Sequence, residues 1–301
     1  MLGMIEREIT TELLESAKEY PVVTIVGPRQ SGKTTLAKLT FKDYRYCSLE
    51  DPDIRAYAES DPRSFLKEYD GFVILDEIQR VPSLLSYIQT LVDENKTKGR
   101  FILTGSHQLR LRADISQSLA GRTAILHLLP LSISELAKAK ALPEKEKLLI
   151  RGFFPRIYDE DINPTRAYAS YYQTYVERDV RQLINLKDVS LFEKFLKLLA
   201  GRAGQVVNLN SLSNDVGASS TTLKEWLSIL EASFIVFKLP PFFENFGKRV
   251  VKSPKYYFTD VGLLCYLLGI ENEKQVGRDP LIGNIFENMV VLEFLKQKYN
   301  R

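Results

Sequence analysis

Residues 27–34 read Gly27-Pro28-Arg29-Gln30-Ser31-Gly32-Lys33-Thr34, which fits G-x-x-x-x-G-K-[ST] at every required position. Ahead of this stretch, Val22-Val23-Thr24-Ile25-Val26 is a short β-branched run suited to a buried parallel strand. Behind it, Thr34-Thr35-Leu36-Ala37-Lys38-Leu39 reads as a helix. Strand, glycine loop and helix in that order make a phosphate cradle, a P-loop. Gly27 and Gly32 let the backbone curl so that N–H groups point inward at phosphate oxygens, and the helix start adds partial positive charge. The expected nucleotide contacts are Gly27, Pro28, Arg29, Gln30, Ser31, Gly32, Lys33, Thr34 and Thr35. Lys33 is expected to reach the β- and γ-phosphates of ATP, and the Thr34 hydroxyl to ligate Mg²⁺.

The second half of such a site needs acids. Phe72-Val73-Ile74-Leu75 is an apolar run that ends in Asp76-Glu77. A buried strand there delivers both carboxylates to the carboxyl edge of the sheet, where the P-loop also sits. Asp76 is expected to hold Mg²⁺ through water and Glu77 to act as general base on the attacking water. Thr104 and Ser106 close the next buried run, Arg100 to Ser106. Their hydroxyls suit hydrogen bonds to the γ-phosphate or the water, and equally suit an ordinary strand-end turn. His107 beside them reads as a surface donor. Arg122 precedes the run Thr123 to Leu129. It reads either as a finger reaching a neighbouring subunit's γ-phosphate or as a structural arginine tied to a carboxylate. Arg178, in Glu177-Arg178-Asp179, has the same two readings, as a lid arginine or as a salt-bridged surface residue.

Further runs at Tyr44–Leu49 and Thr123–Leu129 alternate with helical patterns, so the first part is α/β with a parallel sheet. Asp-Pro at 51–52 and 61–62 marks helix starts. After Pro130 the pattern turns helical, including a tyrosine-rich helix from about Thr165 to Asn185. Short helices and β-rich segments at Phe234–Leu239 and Val250–Phe258 follow, the outline of a winged helix, with Gly217 at the turn and Ser219 or Ser220 as a cap. The expected division is 1–135 ATPase core, 136–187 helical lid or linker, 188–260 winged-helix-like domain and 261–301 C-terminal helices.

The 301 residues suit two domains rather than one. The net charge is +3, and residues 1–150 hold 21 basic and 21 acidic side chains, so the small excess lies in the second half and does not announce nucleic acid. Cys47 and Cys265 have no metal or disulfide spacing, and the first residues lack a signal-peptide core. A cytoplasmic setting without membrane attachment is the expectation.

Together these strings resemble the AAA+ ATPases, in the subgroup that joins an AAA core to a C-terminal winged-helix and nuclease-like region, the DUF4143 family. The resemblance rests on Gly27–Thr34, Ile74-Leu75-Asp76-Glu77-Ile78-Gln79 and Leu103-Thr104-Gly105-Ser106. It continues through Ser118–Arg122, Leu129–Ser132, Tyr175–Val180, Tyr257–Leu263 and Gly283–Asn288, over nearly the whole chain. It implies an Mg²⁺-dependent P-loop ATPase turning ATP into ADP and phosphate; a homo-oligomer is the partner expectation if the finger reading of Arg122 holds. Similar proteins continue into a restriction-endonuclease-like fold, of which Glu287 is the single acid present, so the resemblance implies a chain shortened at its C-terminus and no nuclease activity. The alternative function is a nucleotide-gated switch whose winged helix binds DNA or a protein. Lys248, Arg249, Lys252 and Lys255 are its candidate phosphate contacts. A third reading is a truncated relic that binds ATP and does nothing else, which an uncovered C-terminal helix with Ile285, Phe286, Val290, Leu292 and Phe294 exposed would favour.

Overall fold

The computed structural model describes residues 5–106, 118–180, 189–242 and 253–299, with 177–180 described by backbone alone. The chain divides into two compact units, with Glu6–Leu129 forming one and Pro130–Lys296 the other. The division between the two units falls at 129/130.

The first unit is built on five parallel strands: β1 (Val22–Val26), β2 (Arg45–Ser48), β3 (Val73–Asp76), β4 (Phe101–Gly105) and β5 (Thr123–His127). Their spatial order is β2-β3-β4-β1-β5. The central strands β1, β3 and β4 are buried at every position, as continuous apolar runs require when helices cover both faces. Helix α1 (Thr10–Glu19) precedes the sheet and α2 (Lys33–Thr40) follows the glycine loop. Ile9, Leu13, Val23, Ile25, Leu36, Ala37, Ile74 and Ile102 form one apolar cluster among these elements. Helices α3 (Pro52–Ser60) and α4 (Pro62–Glu68) start at the two Asp-Pro steps. Asp51 and Asp61 accept from backbone N–H groups of the first turns, and each proline supplies the fixed first φ. Helix α5 (Leu84–Glu94) leads to β4.

In the second unit, short helices α6 (Ile133–Lys138), α7 (Lys145–Arg151), α8 (Pro155–Asp159) and α9 (Pro164–Tyr171) come first. The expected tyrosine-rich helix changes register at Tyr172, where a π-helical segment runs to Val180. Then come α10 (Val189–Ala200), α11 (Leu209–Val216) and α12 (Ser220–Ala232), with Ser219 capping α12. An antiparallel pair follows, β6 (Val236–Leu239) with β7 (Lys255–Phe258). Helices α13 (Val261–Leu267), α14 (Glu273–Val276) and α15 (Ile282–Tyr299) complete the chain.

Two buried polar knots hold this unit. Asp260 caps α13 and accepts from Gly262 N at 2.8 Å, Leu263 N at 3.1 Å, Phe153 N at 2.7 Å and the Tyr168 hydroxyl at 2.6 Å. Asn288 of α15 both accepts from Phe258 N at 2.8 Å and donates to Phe258 O at 2.9 Å, extending the edge of β7 with a side-chain amide. One apolar side of α15 is therefore covered. Ile285 and Leu292 are fully buried, while Phe286, Val290 and Phe294 are exposed, so the uncovered helix that would favour the relic reading is found on one side only. The spacing explains both results, because 285, 288, 289 and 292 share one face and 286, 290 and 294 another. Glu287 accepts from Lys255 Nζ at 2.9 Å and from the Tyr257 hydroxyl at 2.7 Å, a tie between α15 and β7.

Two stability outcomes follow from these knots. Asp260→Ala strands four buried donors at a cost of about 1–3 kcal/mol each, so urea unfolding is expected to show a loss of at least about 3 kcal/mol. The hydrogen bonds from Tyr257 and Lys255 hold the Glu287 carboxyl below the usual carboxylate range. A lowered folded-state value means the contribution is present above the ordinary pKa and is lost as pH falls through the lowered one. Melting temperature measured across pH 3–7 should therefore fall less steeply on the acid side in Glu287→Gln than in the parent chain.

Candidate nucleotide site

The loop between β1 and α2 has the conformation its glycines predict, for two different reasons. Gly32 sits at φ 92°, in the left-handed region. Gly27 has no room for a side chain, since a Cβ there would lie 2.0 Å from Leu128 O. Gln30, also left-handed at φ 63°, is a non-glycine residue held in a strained conformation at the loop tip.

Lys33 is buried and folds back onto its own loop, donating to Gly27 O at 3.1 Å and Pro28 O at 2.8 Å. Burial pushes the ammonium down to about 8, against the pull of Glu77 and Asp76. Ser31 Oγ is buried and receives no hydrogen bond from the described residues. Thr35, one position beyond Thr34, is exposed on the first turn of α2, and Arg29 is half-buried.

The two halves of the site meet at Asp76. Thr34 Oγ1 donates to Asp76 Oδ1 at 2.8 Å and lies 3.1 Å from Oδ2. Thr104 Oγ1 also donates to Asp76 Oδ1, and the Tyr46 hydroxyl donates to Oδ2 at 2.9 Å. Three hydroxyls thus surround a buried carboxylate. A Mg²⁺-like cation takes oxygen ligands and keeps several waters, so one hydroxyl and one carboxylate at this separation form a fitting donor set.

Glu77 stands next to it in the left-handed region, at φ 58° and ψ 47°. Its backbone N–H donates to Thr104 Oγ1 at 3.1 Å. Its Oε2 accepts from Ser106 Oγ at 3.1 Å and from Gln79 Nε2. Asp76, Glu77, Thr104 and Ser106, expected from sequence to share one sheet edge, are therefore one hydrogen-bonded cluster.

Arg122 is placed elsewhere. Its carbonyl accepts from Val22 N, at the amino edge of the sheet and one strand length from the loop. Its guanidinium forms a bidentate pair with Asp93, Nε to Oδ1 at 2.6 Å and Nη2 to Oδ2 at 2.8 Å. Of the two readings open at the sequence level, this geometry matches the tie to a carboxylate. Lys255, the described member of the proposed DNA contacts, is held by Glu287. Lys248, Arg249, Lys252 and His107 lie outside the described residues, as does the Arg178 side chain. Cys47 and Cys265 are buried free thiols. Among the described residues no helix is long and apolar enough to cross a membrane.

Three contributors went unseen in the sequence. Arg7 is buried and donates from Nη1 to Ser31 O at 2.7 Å and from Nη2 to Leu129 O at 2.6 Å, bracing the loop from outside. No motif marks an arginine so far upstream. Tyr46 requires knowing that β2 pairs with β3. The register Tyr46↔Ile74 and Ser48↔Asp76 puts Tyr46 diagonal to the aspartate on one face. Lys38 Nζ lies 3.3 Å from the Tyr46 ring centroid, and burial together with Asp76 pushes the phenol up to about 12, so it stays a donor at neutral pH. Gln79 lies inside the quoted Ile74–Gln79 string, but nothing in its type or spacing announced a role.

Comparison with known proteins fits this geometry. Residues 19–137 match the AAA domain. Residues 142–274 match a domain of unknown function, DUF8612. An uncharacterized protein of Mycobacterium tuberculosis is 32% identical over 288 residues, covering 95% of this chain and 64% of the relative. The chain thus spans less than two-thirds of that relative's length. An uncharacterized protein of Haemophilus influenzae is 25% identical over 332 residues, covering 99% of this chain and 80% of the relative. Among solved structures, a Walker-type ATPase of Pyrococcus abyssi shares the fold, with TM-score 0.51, 14% identity, and coverage of 86% of this chain and 94% of that one. The first unit therefore shares a P-loop α/β fold with that ATPase, over the residues that match the AAA domain.

The Arg7 brace gives a measurable expectation. Arg7→Ala removes two charge-assisted hydrogen bonds, each worth about 1.5–3 kcal/mol. Amide hydrogen exchange over residues 27–34 should quicken and nucleotide affinity should drop at least tenfold, although Arg7 is outside the phosphate-binding set.

Proposed function

We propose that this chain binds ATP with Mg²⁺ at the Gly27–Thr34 loop and hydrolyses it to ADP and phosphate. The observation that carries this reading is the 2.8 Å contact between Thr34 Oγ1 and Asp76 Oδ1, which joins the phosphate loop to the acidic strand end in one place. In this reading Lys33 leaves the Gly27 and Pro28 carbonyls and turns its ammonium to the β- and γ-phosphates. The loop N–H groups and the start of α2 hold the remaining phosphate oxygens. Thr34 and Asp76 hold the Mg²⁺, which when bound neutralises charge on the phosphates.

Glu77 is the general base. Its carboxylate takes a proton from water as the water oxygen bonds to the γ-phosphorus and the bond to the β–γ bridging oxygen breaks. Thr104 serves by fixing Asp76 and the Glu77 backbone, and Ser106 by holding Glu77 Oε2. Strain at Glu77, a non-glycine residue at φ 58°, supports a functional role, because such conformations cluster where a side chain must be aimed. For Arg122 the pair with Asp93 supports a bracing role for the turn before β5.

Two variants test the reading. Lys33→Ala is expected to abolish ATP binding, measured by titration with a fluorescent ATP analogue. Glu77→Gln is expected to bind ATP as the parent does while phosphate release slows by about 10²–10⁴-fold. Unchanged turnover in Glu77→Gln removes Glu77 as the base, and unchanged binding in Lys33→Ala removes the site.

A further inference from the structure

Gln79 stands in the catalytic cluster without a role assigned by any of the motifs. It is the second residue of a 3₁₀ turn, Ile78–Arg80, for which Glu77 is the N-cap. That turn is what brings the amide of residue 79 back over the carboxylate of residue 77. Nε2 donates to Glu77 Oε2 and, at 3.2 Å, to Ser106 Oγ. Ser106 Oγ in turn donates to the same Glu77 Oε2. Three side chains thus close a small ring around one carboxylate oxygen. The other, Glu77 Oε1, has no hydrogen bond from the described residues.

The orientation of the amide follows from this ring. Turning it over would set its carbonyl oxygen against Glu77 Oε2, acceptor against acceptor, so the N–H side faces the glutamate. The carbonyl, Gln79 Oε1, then points away from both partners. It is buried and receives no hydrogen bond from the described residues. A buried acceptor without a donor costs about 1–3 kcal/mol, and the cost is met when a donor arrives.

We propose that Gln79 is a positioning residue for the hydrolysis step: its N–H groups hold Glu77 Oε2, leaving Oε1 for the attacking water, and its carbonyl accepts that water's second hydrogen. The inference rests on the ATPase reading above. The water then has two fixed acceptors, one that takes its proton and one that only orients it. Rotation of the Glu77 carboxylate, which would cost alignment, is stopped by two donors on the same oxygen. Orientation of this kind acts on the chemical step, since misplacement by about 1 Å can cost on the order of 10²-fold in rate.

The test uses the full chain and two substitutions. Gln79→Met keeps length and bulk and removes donor and acceptor. Gln79→Glu keeps the shape and the acceptor and puts a second carboxylate where the donor was. Gln79→Met is expected to lower kcat by about 10–100-fold while the ATP dissociation constant and the melting temperature stay within twofold and about 2 °C of the parent, and Gln79→Glu is expected to lower kcat at least as far and also to lower the melting temperature, because it sets a second carboxylate against Glu77. The decisive reading is the double-mutant cycle. In the Glu77→Gln background, Gln79→Met should cost nothing further, because the group it positions is gone. Full kcat in both single variants overturns the proposal. A loss in Gln79→Met that repeats in full on top of Glu77→Gln also overturns it and makes the residue structural. Failure of the ATPase reading is distinct from either, since then the parent chain itself releases no phosphate and Lys33→Ala changes no binding. That outcome removes the proposal along with its foundation.

Discussion

The first unit turns on one buried carboxylate. Asp76 ends β3, two strands away from the phosphate loop that leaves β1, and β4 lies between them. It collects hydroxyls from three separate elements: Thr34 on α2, Tyr46 on β2 and Thr104 on β4. A carboxylate this deep is tolerable only if its lone pairs are met, and here every donor comes from a neighbouring strand or from the helix that follows the loop. The register of the parallel strands is therefore also the register of the site. A slip of one residue in β3 would turn Asp76 away from all three hydroxyls at once.

Much of this was legible in the chain, and the parts that were not share a cause. The glycine loop, the Asp-Pro helix starts and the apolar runs ending in polar residues are local signals, and each element formed close to where its pattern lay. Spatial order is not local. Nothing in residues 72–77 says that β4, later in sequence, inserts between β3 and β1. Hence Tyr46, which matters only once β2 lies beside β3, was invisible, and so was Arg7, whose carbonyl partners are 24 and 122 residues away. Arg122 illustrates the same limit from the other side. No local pattern names a partner for it, whereas Asp93, on α5, answers it with two hydrogen bonds. At α15 the all-round apolar composition concealed which side is covered. The deciding residue was polar, Asn288, whose amide completes the edge of β7.

The second unit uses polar groups in another way. Asp260 and Lys296 are both completely buried, yet neither faces a counter-charge alone. The aspartate is wrapped by backbone N–H groups and a phenol. The ammonium donates to Leu131 O and Glu293 Oε1, each at 2.7 Å, and sits 3.4 Å from the centroid of the Phe153 ring. Such groups add little to net stability over a well-packed apolar core, but they tolerate one arrangement only, since a shifted helix leaves a charge unmet. Several helices of this unit, α6 to α9 and α14 among them, are short, so geometric uniqueness of this kind is what such an assembly needs most.

Lys33 carries a consequence of its own. With its ammonium lodged on the Gly27 and Pro28 carbonyls, the loop is its own first ligand. The dehydration of that ammonium has already been met in folding, and burial lowers its proton affinity accordingly. An arriving anion need not strip water from the lysine; it has only to outbid two peptide dipoles. A singly charged group gains little in that exchange, whereas adjacent phosphates gain a full charge in a water-poor setting. On the ATP-binding reading proposed above, the position of one side chain thus makes the loop favour charge-dense groups over singly charged ones.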